Sequence, residues 1–593
     1  MLNSILKTLL YLFFCEVLSA IPLMAKEGYK NFDLVIYCPQ FDMRRMQDAE
    51  WLEATYTELS RSLKIEKVYL ETFRDNDLIE KEVVLTIKKF FEDRGVKTAG
   101  GITYVQSERN RFQTFCYSNP EHRQQVRQIA EHTAALFDEF ILDDFFFTNC
   151  KCEKCIQAKG NQSWSQFRLD LMTEAAEKLV IQPAKKINPA VKIIIKYPNW
   201  YDHFQYCGFN LETQPKMFDL IYTGTETRDP VYTHQHLQPY QSFAIMRYFE
   251  NVATGRNAGG WVDPYAHRTL DRYAEQIRLT LFAKAREQTL FCWGALVQMI
   301  QEDSVAQPLS EFAPVAGHTL EKVDRFLGKL GKPVGVKSYK PYHSFGEDFL
   351  INYIGMLGIP IEIVPEFPDA ENIIFLTEQA RFDKEIVSKI KGQLIQGKEV
   401  MVTSGLYKVL QGKGIEDIVE LECTDEKAFV RTFYNWWNTS HSENEILIPQ
   451  IRYATNDSWE LITALVSGVG YPILLQASYG NGRLYVLTIP DNFGQLYDLP
   501  QEVITSIKRV LLKELFVSTD TPAEVSLFVY DNNTFIVESF LDQRIPVKIV
   551  LNQKFSELVS LTSNRELKGQ TEWNTTVFQT GLAPHSYEVY QAK

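Results

Sequence analysis

Residues 137–155, FDEFILDDFFFTNCKCEKC, hold the side chains of this 593-residue chain whose types and spacing point most directly to chemistry. Asp143 and Asp144 follow the apolar run Phe140-Ile141-Leu142, which has no helical period and reads as a buried parallel strand. The two acids then sit at the strand's C-terminal mouth, where a (β/α)8 barrel collects its catalytic groups. Strand side chains alternate, so one acid faces the pocket and the other braces a neighbouring loop, and Asp144 lies nearer the mouth. Cleavage of a glycosidic bond needs two such carboxyl groups facing each other, one as acid and one as nucleophile or base. Glu226, in LIYTGTETRDP, and Glu250, in MRYFENVATG, are the candidate partners, with Asp143 in reserve. A rim carboxylate also has a plainer use, capping a helix or pairing with Arg228, Arg247 or Arg256; Arg247 is also a candidate substrate contact.

Cys150, Cys152 and Cys155 lie within six residues, a spacing suited to turning around one tetrahedral ion, with zinc the natural choice. Cys116, in the loop after the preceding predicted strand, falls beside them if the two strands are barrel neighbours. Four thiolates leave no open position for water, so the site reads as a staple. A disulfide from Cys116 to the cluster and an iron–sulfur cluster are the competing readings.

The loops supply candidate sugar contacts. YPNWYDHFQYCGF offers Trp200, Tyr201, Asp202 and His203, and GGWVDPY offers Trp261 and Asp263 behind two glycines that let the loop fold close to a ligand. Trp293 is placed on the last barrel strand as a pocket floor. Each tryptophan has an ordinary packing role as its alternative.

From about 31 to 325 the chain alternates β-like runs with amphipathic stretches, the signature of strand–helix units around a parallel sheet. Eight strands are predicted: 34–38, 67–71, 100–105, 139–144, 192–197, 220–224, 243–250 and 289–296. Residues 330–517 repeat the alternation on a smaller scale, as a doubly wound α/β domain. After about 520 the pattern becomes all-β. VTSGL in the middle region superficially resembles a nucleophile elbow but lacks cysteine at the turn and convincing partners. The domain expectation is a signal peptide over 1–25, a catalytic barrel over 26–328, an α/β domain over 329–518 and a β domain over 519–593.

The first 25 residues place one lysine before an apolar stretch and end in small-residue sites at Ala20 and Ala25, the pattern of an export signal. This predicts a periplasmic or extracellular protein; Cys15 invites a lipoprotein reading, but Phe13 and Phe14 fit lipobox processing poorly. No later stretch is long and apolar enough to span a bilayer. A net charge of −13 without long charge blocks argues against nucleic acid and anionic membranes as partners. Aromatic content of 13% suits stacking on sugar faces, although most of the 38 phenylalanines must fill cores.

The Cys-X-Cys-X-X-Cys run beyond the fourth strand, the upstream cysteine in the third loop, and the order barrel, small α/β domain, β domain together resemble the β-galactosidases of glycoside hydrolase family 42 over most of the chain. The resemblance implies a (β/α)8 TIM barrel, a flavodoxin/amidotransferase-like α/β domain and a C-terminal β-sandwich. It also implies zinc at Cys116, Cys150, Cys152 and Cys155, a homotrimer built by the middle domain, and a retaining double displacement. The chain departs from that family at the fourth strand, where Asp143-Asp144 replaces an Asn-Glu pair. Glu250 matches the family's seventh-strand nucleophile by placement. A fourth-strand aspartate with a sixth-strand acid, Asp144 with Glu226, instead resembles several α-glycosidase families.

The expectation is an exported glycoside hydrolase acting on an oligosaccharide or glycan through paired carboxylates, with structural zinc and no organic cofactor. A non-catalytic carbohydrate-binding or assembly protein and a sugar lyase are the alternatives.

Overall fold

The computed structural model describes residues 28–199, 202–297, 311–436, 438–552 and 555–593. The export signal with Cys15, and the platform candidates Trp200 and Tyr201, lie outside the described residues.

Eight parallel strands form the first domain: β1 (Asp33–Cys38), β2 (Lys67–Arg74), β3 (Lys97–Ile102), β4 (Glu139–Leu142), β5 (Lys192–Tyr197), β6 (Leu220–Gly224), β7 (Asn257–Val262) and β8 (Glu287–Phe291). They run in sequence order around a closed barrel, since β1 is hydrogen-bonded to both β2 and β8. Inward-facing Val35, Tyr37, Tyr69, Ala99, Ile141, Ile194, Tyr222, Ala258 and Trp261 fill the interior, so the barrel is a packed core and not a pore.

Two predicted strands are corrected. Residues 243–250 belong to helix α1 (Gln241–Val252), and the seventh strand is β7, NAGGWV. Helix α1 looks like a strand because it is apolar nearly all round, the mark of a helix buried on several sides. It packs against the barrel, the second domain and the terminal domain, where Phe243 meets Phe528 with ring centroids 4.7 Å apart. Strand β7 looks like a loop because two of its six residues are glycines, which pay extra chain entropy in a strand. Close packing requires them: a Cβ on Gly259 would stand 2.4 Å from the Glu287 carbonyl oxygen. The eighth predicted strand stops at Phe291, and Trp293 begins a short helix.

In the second domain, parallel strands β9 (Val336–Tyr339), β10 (Ile361–Val364), β11 (Ile373–Leu376) and β12 (Glu399–Thr403) lead through two long antiparallel hairpins. The hairpins comprise β13 (Leu421–Asn435), β14 (Asn438–Tyr453), β15 (Ser458–Val466) and β16 (Val469–Tyr479), and the chain then returns to β17 (Gly482–Leu487). The order β10-β9-β11-β12-β17 is doubly wound, and β16, β15, β13 and β14 extend it as an arm absent from the sequence expectation. The terminal domain packs a six-stranded sheet with a four-stranded one as a β-sandwich, and takes Pro333–Val334 as an edge strand.

Candidate active site

A cavity of about 710 Å³ opens at the C-terminal mouth of the barrel, floored by residues from the ends of β4 to β8. Strand β4 stops at Leu142, and the Asp143 amide continues the ladder by donating to the Ile102 carbonyl at 2.9 Å. Both aspartates therefore leave the sheet at its rim. In β5, Ile194 faces the barrel interior, and alternation puts Lys196 on the same side two residues nearer the mouth. Strand β6 ends at Gly224, and the Thr225 amide bonds to the Trp261 carbonyl, holding Glu226 over the pocket.

These residues converge on one ammonium. Lys196 Nζ lies 2.9 Å from Asp144 Oδ2, 3.2 Å from Asp143 Oδ1 and 3.3 Å from Glu226 Oε1, and all four side chains are buried. The environments of the three acids differ. Asp143 is fully engaged: its Oδ1 also accepts from the Asp144 amide, and its Oδ2 accepts from Arg74 at 3.1 Å and Thr103 at 3.2 Å. Burial opposes its ionisation, but Lys196 and Arg74 outweigh that and hold Asp143 below the usual aspartate range. Asp144 accepts a hydrogen bond from Lys196 alone among the described residues. Burial lifts it to about 6, with Lys196 opposing and Asp143 adding to the rise. Burial likewise lifts Glu226 to about 7, against Lys196 and with help from Asp263 and Asp144. Its Oε2 is buried with no hydrogen-bond partner among the described residues, folded back over Gly224, where a Cβ would stand 2.7 Å away.

Asp263 follows β7 directly, which gives the true seventh strand its own rim acid. Arg228 clamps it through Nη2 at 2.6 Å and Nε at 3.2 Å, and the Tyr265 amide adds a third donor. Trp261 lies beneath Lys196 in a cation–π contact of 4.3 Å and stacks on Phe291.

The structure thus brings together Asp143, Asp144, Glu226, Trp261 and Asp263. It separates the others. Glu250, near the end of helix α1, accepts from the Gly255 amide and meets Arg286, just before β8 at the opposite end of the barrel. Arg247 forms a two-pronged ion pair with Glu362 of the second domain, at 2.8 and 3.0 Å. Asp202 accepts from the Phe349 amide and His203 contacts Asp348, so both fasten the barrel to the second domain. Trp293 is buried against Tyr56 and Phe91, its indole donating to Thr55. Sequence reasoning missed Lys196 and Arg74; the available signal was Lys196 itself, at inward parity beyond three isoleucines in KIIIKY.

The four predicted cysteines do meet, their sulfurs all within 4.8 Å of one another. Cys116 Sγ stands 3.6 Å from Cys152 and 3.5 Å from Cys155, and the thiols are unbonded. Four thiolates at about 2.3 Å from a tetrahedral ion stand roughly 3.8 Å apart, so the set fits a metal closely. The cluster ties the loop after β3 to the loop after β4, the two loops that form one wall of the pocket.

Three family profiles match consecutive parts of the chain. "Probable glycosyl hydrolase, catalytic domain" covers residues 22–329, "Uncharacterized protein SSO3021, second domain" covers 331–492, and "Probable glycosyl hydrolase, C-terminal domain" covers 516–592. Uncharacterized protein SSO3021 of Saccharolobus solfataricus is 24% identical over 538 residues, which is 82% of this chain and 86% of that protein. The fold is that of Gan42B, a GH42 β-galactosidase of G. stearothermophilus, at TM-score 0.64, 10% identity and coverage of 96% and 99% of the two chains. It is equally that of α-L-fucosidase isoenzyme 2 of Paenibacillus thiaminolyticus, at TM-score 0.62, 11% identity and coverage of 96% and 100%. With the catalytic-domain profile spanning more than half of its residues, the chain belongs to this family of probable glycosyl hydrolases and is a glycosidase on a GH42-like architecture.

Proposed function

We propose a retaining glycosidase in which Asp144 is the nucleophile and Glu226 the acid/base. One observation carries this reading: the two carboxylates share the Lys196 ammonium at 2.9 and 3.3 Å. Sharing one ammonium keeps the two carboxylates near each other, which favours the short separation of a retaining pair over the wider one that admits an inverting enzyme's water. The polarity of the pair also fits. Near neutral pH, Asp144 is the more readily ionised and Glu226 the more readily protonated. Lys196 and Arg74 keep Asp143 charged as a fixed brace, and the buried Trp261 ring supports the Lys196 ammonium from below.

The pairing of fourth-strand and sixth-strand acids replaces the pairing with Glu250. It resembles the pairing in several α-glycosidase families, and a protein of the same fold is an α-L-fucosidase. Aryl α-glycosides, α-L-fucosides included, are therefore the expected substrates, with β-galactosides as the comparison. We further propose zinc in the four-thiolate site as a staple, export directed by the first 25 residues, and a homotrimer formed through the second domain. For the last, the antiparallel arm exposes Phe429 and Trp459, each 61% accessible.

The test is hydrolysis of 4-nitrophenyl α- and β-glycosides by the parent, Asp144→Asn and Glu226→Gln, with the anomer first released followed by NMR. Retention is expected, with both variants down at least about 100-fold and Asp144→Ala partly rescued by azide. Inversion of configuration, or full activity in either variant, sinks the assignment.

A further inference from the structure

The floor of the cavity is closed electrostatically, but its rim is not. Three of the four cations lining it are neutralised within the protein. Lys196 meets three carboxylates, Arg74 pairs with Glu71, Glu108 and Asp143, and Arg228 pairs with Asp263. The fourth, Arg111, is exposed and has no carboxylate partner among the described residues.

Its neighbour Phe112 is 49% exposed, an expensive position for phenylalanine, and stacks on Phe145 with ring centroids 5.3 Å apart and planes 24° apart. Phe145 follows the proposed nucleophile directly in sequence. Arg111 and Phe112 both hold φ of +53°. Two successive bulky residues in the left-handed region are strained, and such strain persists where the surroundings impose it. Here both side chains line the cavity, and the strained pair lies in the loop between the short strands Val105–Ser107 and Gln113–Thr114, with Phe112 four residues before Cys116 of the cysteine cluster. The amide side chain of Asn149 lines the same wall.

We propose that Arg111, Phe112, Phe145 and Asn149 form an outer subsite beside the cleaved bond that takes a sugar residue bearing an anionic substituent, a carboxylate or a sulfate ester. The inference rests on the glycosidase reading and names the substrate class it leaves open. The phenylalanine pair offers an apolar face to one side of a pyranose ring, and Phe side chains contribute no hydrogen bonds of their own. The guanidinium supplies a planar fork that matches carboxylate and sulfate oxygens, and no acid among the described residues pairs with it. A neutral saccharide would leave that charge unused.

Calorimetric titration of the whole protein with D-glucuronic acid and D-galactose 6-sulfate, against D-glucose and D-galactose, tests the subsite without requiring turnover. At low ionic strength at least one anionic sugar should bind about tenfold tighter than its neutral counterpart, the scale of one charge-assisted contact at an exposed site. Whichever of the two shows the preference identifies the substituent. Arg111→Gln should abolish the preference, Arg111→Lys should retain part of it, and Phe112→Ala should weaken anionic and neutral sugars alike. Equal binding of charged and neutral sugars, no binding of any of the four, or a preference that survives Arg111→Gln overturns the proposal. Failure to hydrolyse any glycoside while the anionic preference holds would instead count against the glycosidase mechanism and leave the subsite standing.

Discussion

Lys196 Nζ sits 4.3 Å from the centre of the Trp261 ring, so a cation delivered by the fifth strand is cradled by an aromatic from the seventh. The same ammonium meets Asp143, Asp144 and Glu226. Taking a lysine out of water costs several kcal/mol, and here three carboxylates and a ring offset that cost. Its position between two acids with different surroundings is what gives the site its chemical polarity.

Activity should be confined to a narrow pH window. A nucleophilic Asp144 must be ionised, so kcat/KM rises as pH passes about 6; an acidic Glu226 must be protonated, so kcat/KM falls as pH passes about 7. A plateau running far into the alkaline range would show that Glu226 is not the acid.

Lys196→Met should move that profile. The ammonium lowers both acids, so removing it raises both, and the acidic limb shifts to higher pH. Three buried carboxylates without their cation should also cost about 3–5 kcal/mol in denaturant unfolding. Lys196→Arg, which keeps the charge, should restore the acidic limb; a variant that loses stability with the profile unmoved would reduce Lys196 to a structural role.

Glu250→Gln should leave kcat and KM unchanged, since its partners are the Gly255 amide and Arg286, away from the cavity. The stability cost should stay within about 1 kcal/mol, the range of a partly exposed ion pair. A large loss of kcat would return the family-like seventh-strand position to the mechanism.

One zinc per chain is expected by elemental analysis, and Cys155→Ser or prolonged chelation should lower the unfolding midpoint. A loss of about 2 kcal/mol corresponds to roughly 4–8 °C for a domain somewhat smaller than this barrel. Because the staple ties together the loops bearing Phe112 and Phe145, KM should rise more than kcat falls. A metal-free protein with an unchanged midpoint after chelation would leave the four thiols as mere neighbours.

Wherever one side chain type or one periodicity decides the outcome, the sequence alone was legible. Runs such as LVIYC, KIIIKY and LIYTG are legible as strands because apolar residues fall on both faces, the mark of a parallel sheet covered on both sides. The Cys-X-Cys-X-X-Cys spacing implied a fourth thiol from the adjacent loop, and Cys116 stands there because β3 and β4 are hydrogen-bonded neighbours. Asp143, Asp144 and Glu226 were readable as rim acids from strand ends alone. What a residue is covered by, in contrast, is a tertiary fact. Helix α1 mimics a strand since other domains bury it from several sides, and β7 mimics a loop since Tyr222 and Glu287 leave no room for side chains at its glycines. That exchange moved Glu250 out of the pocket and put Asp263 at the seventh rim. The inward parity of Lys196 was readable in KIIIKY, but its role was not, because its three acids come from the ends of the two strands that flank β5 in the sheet.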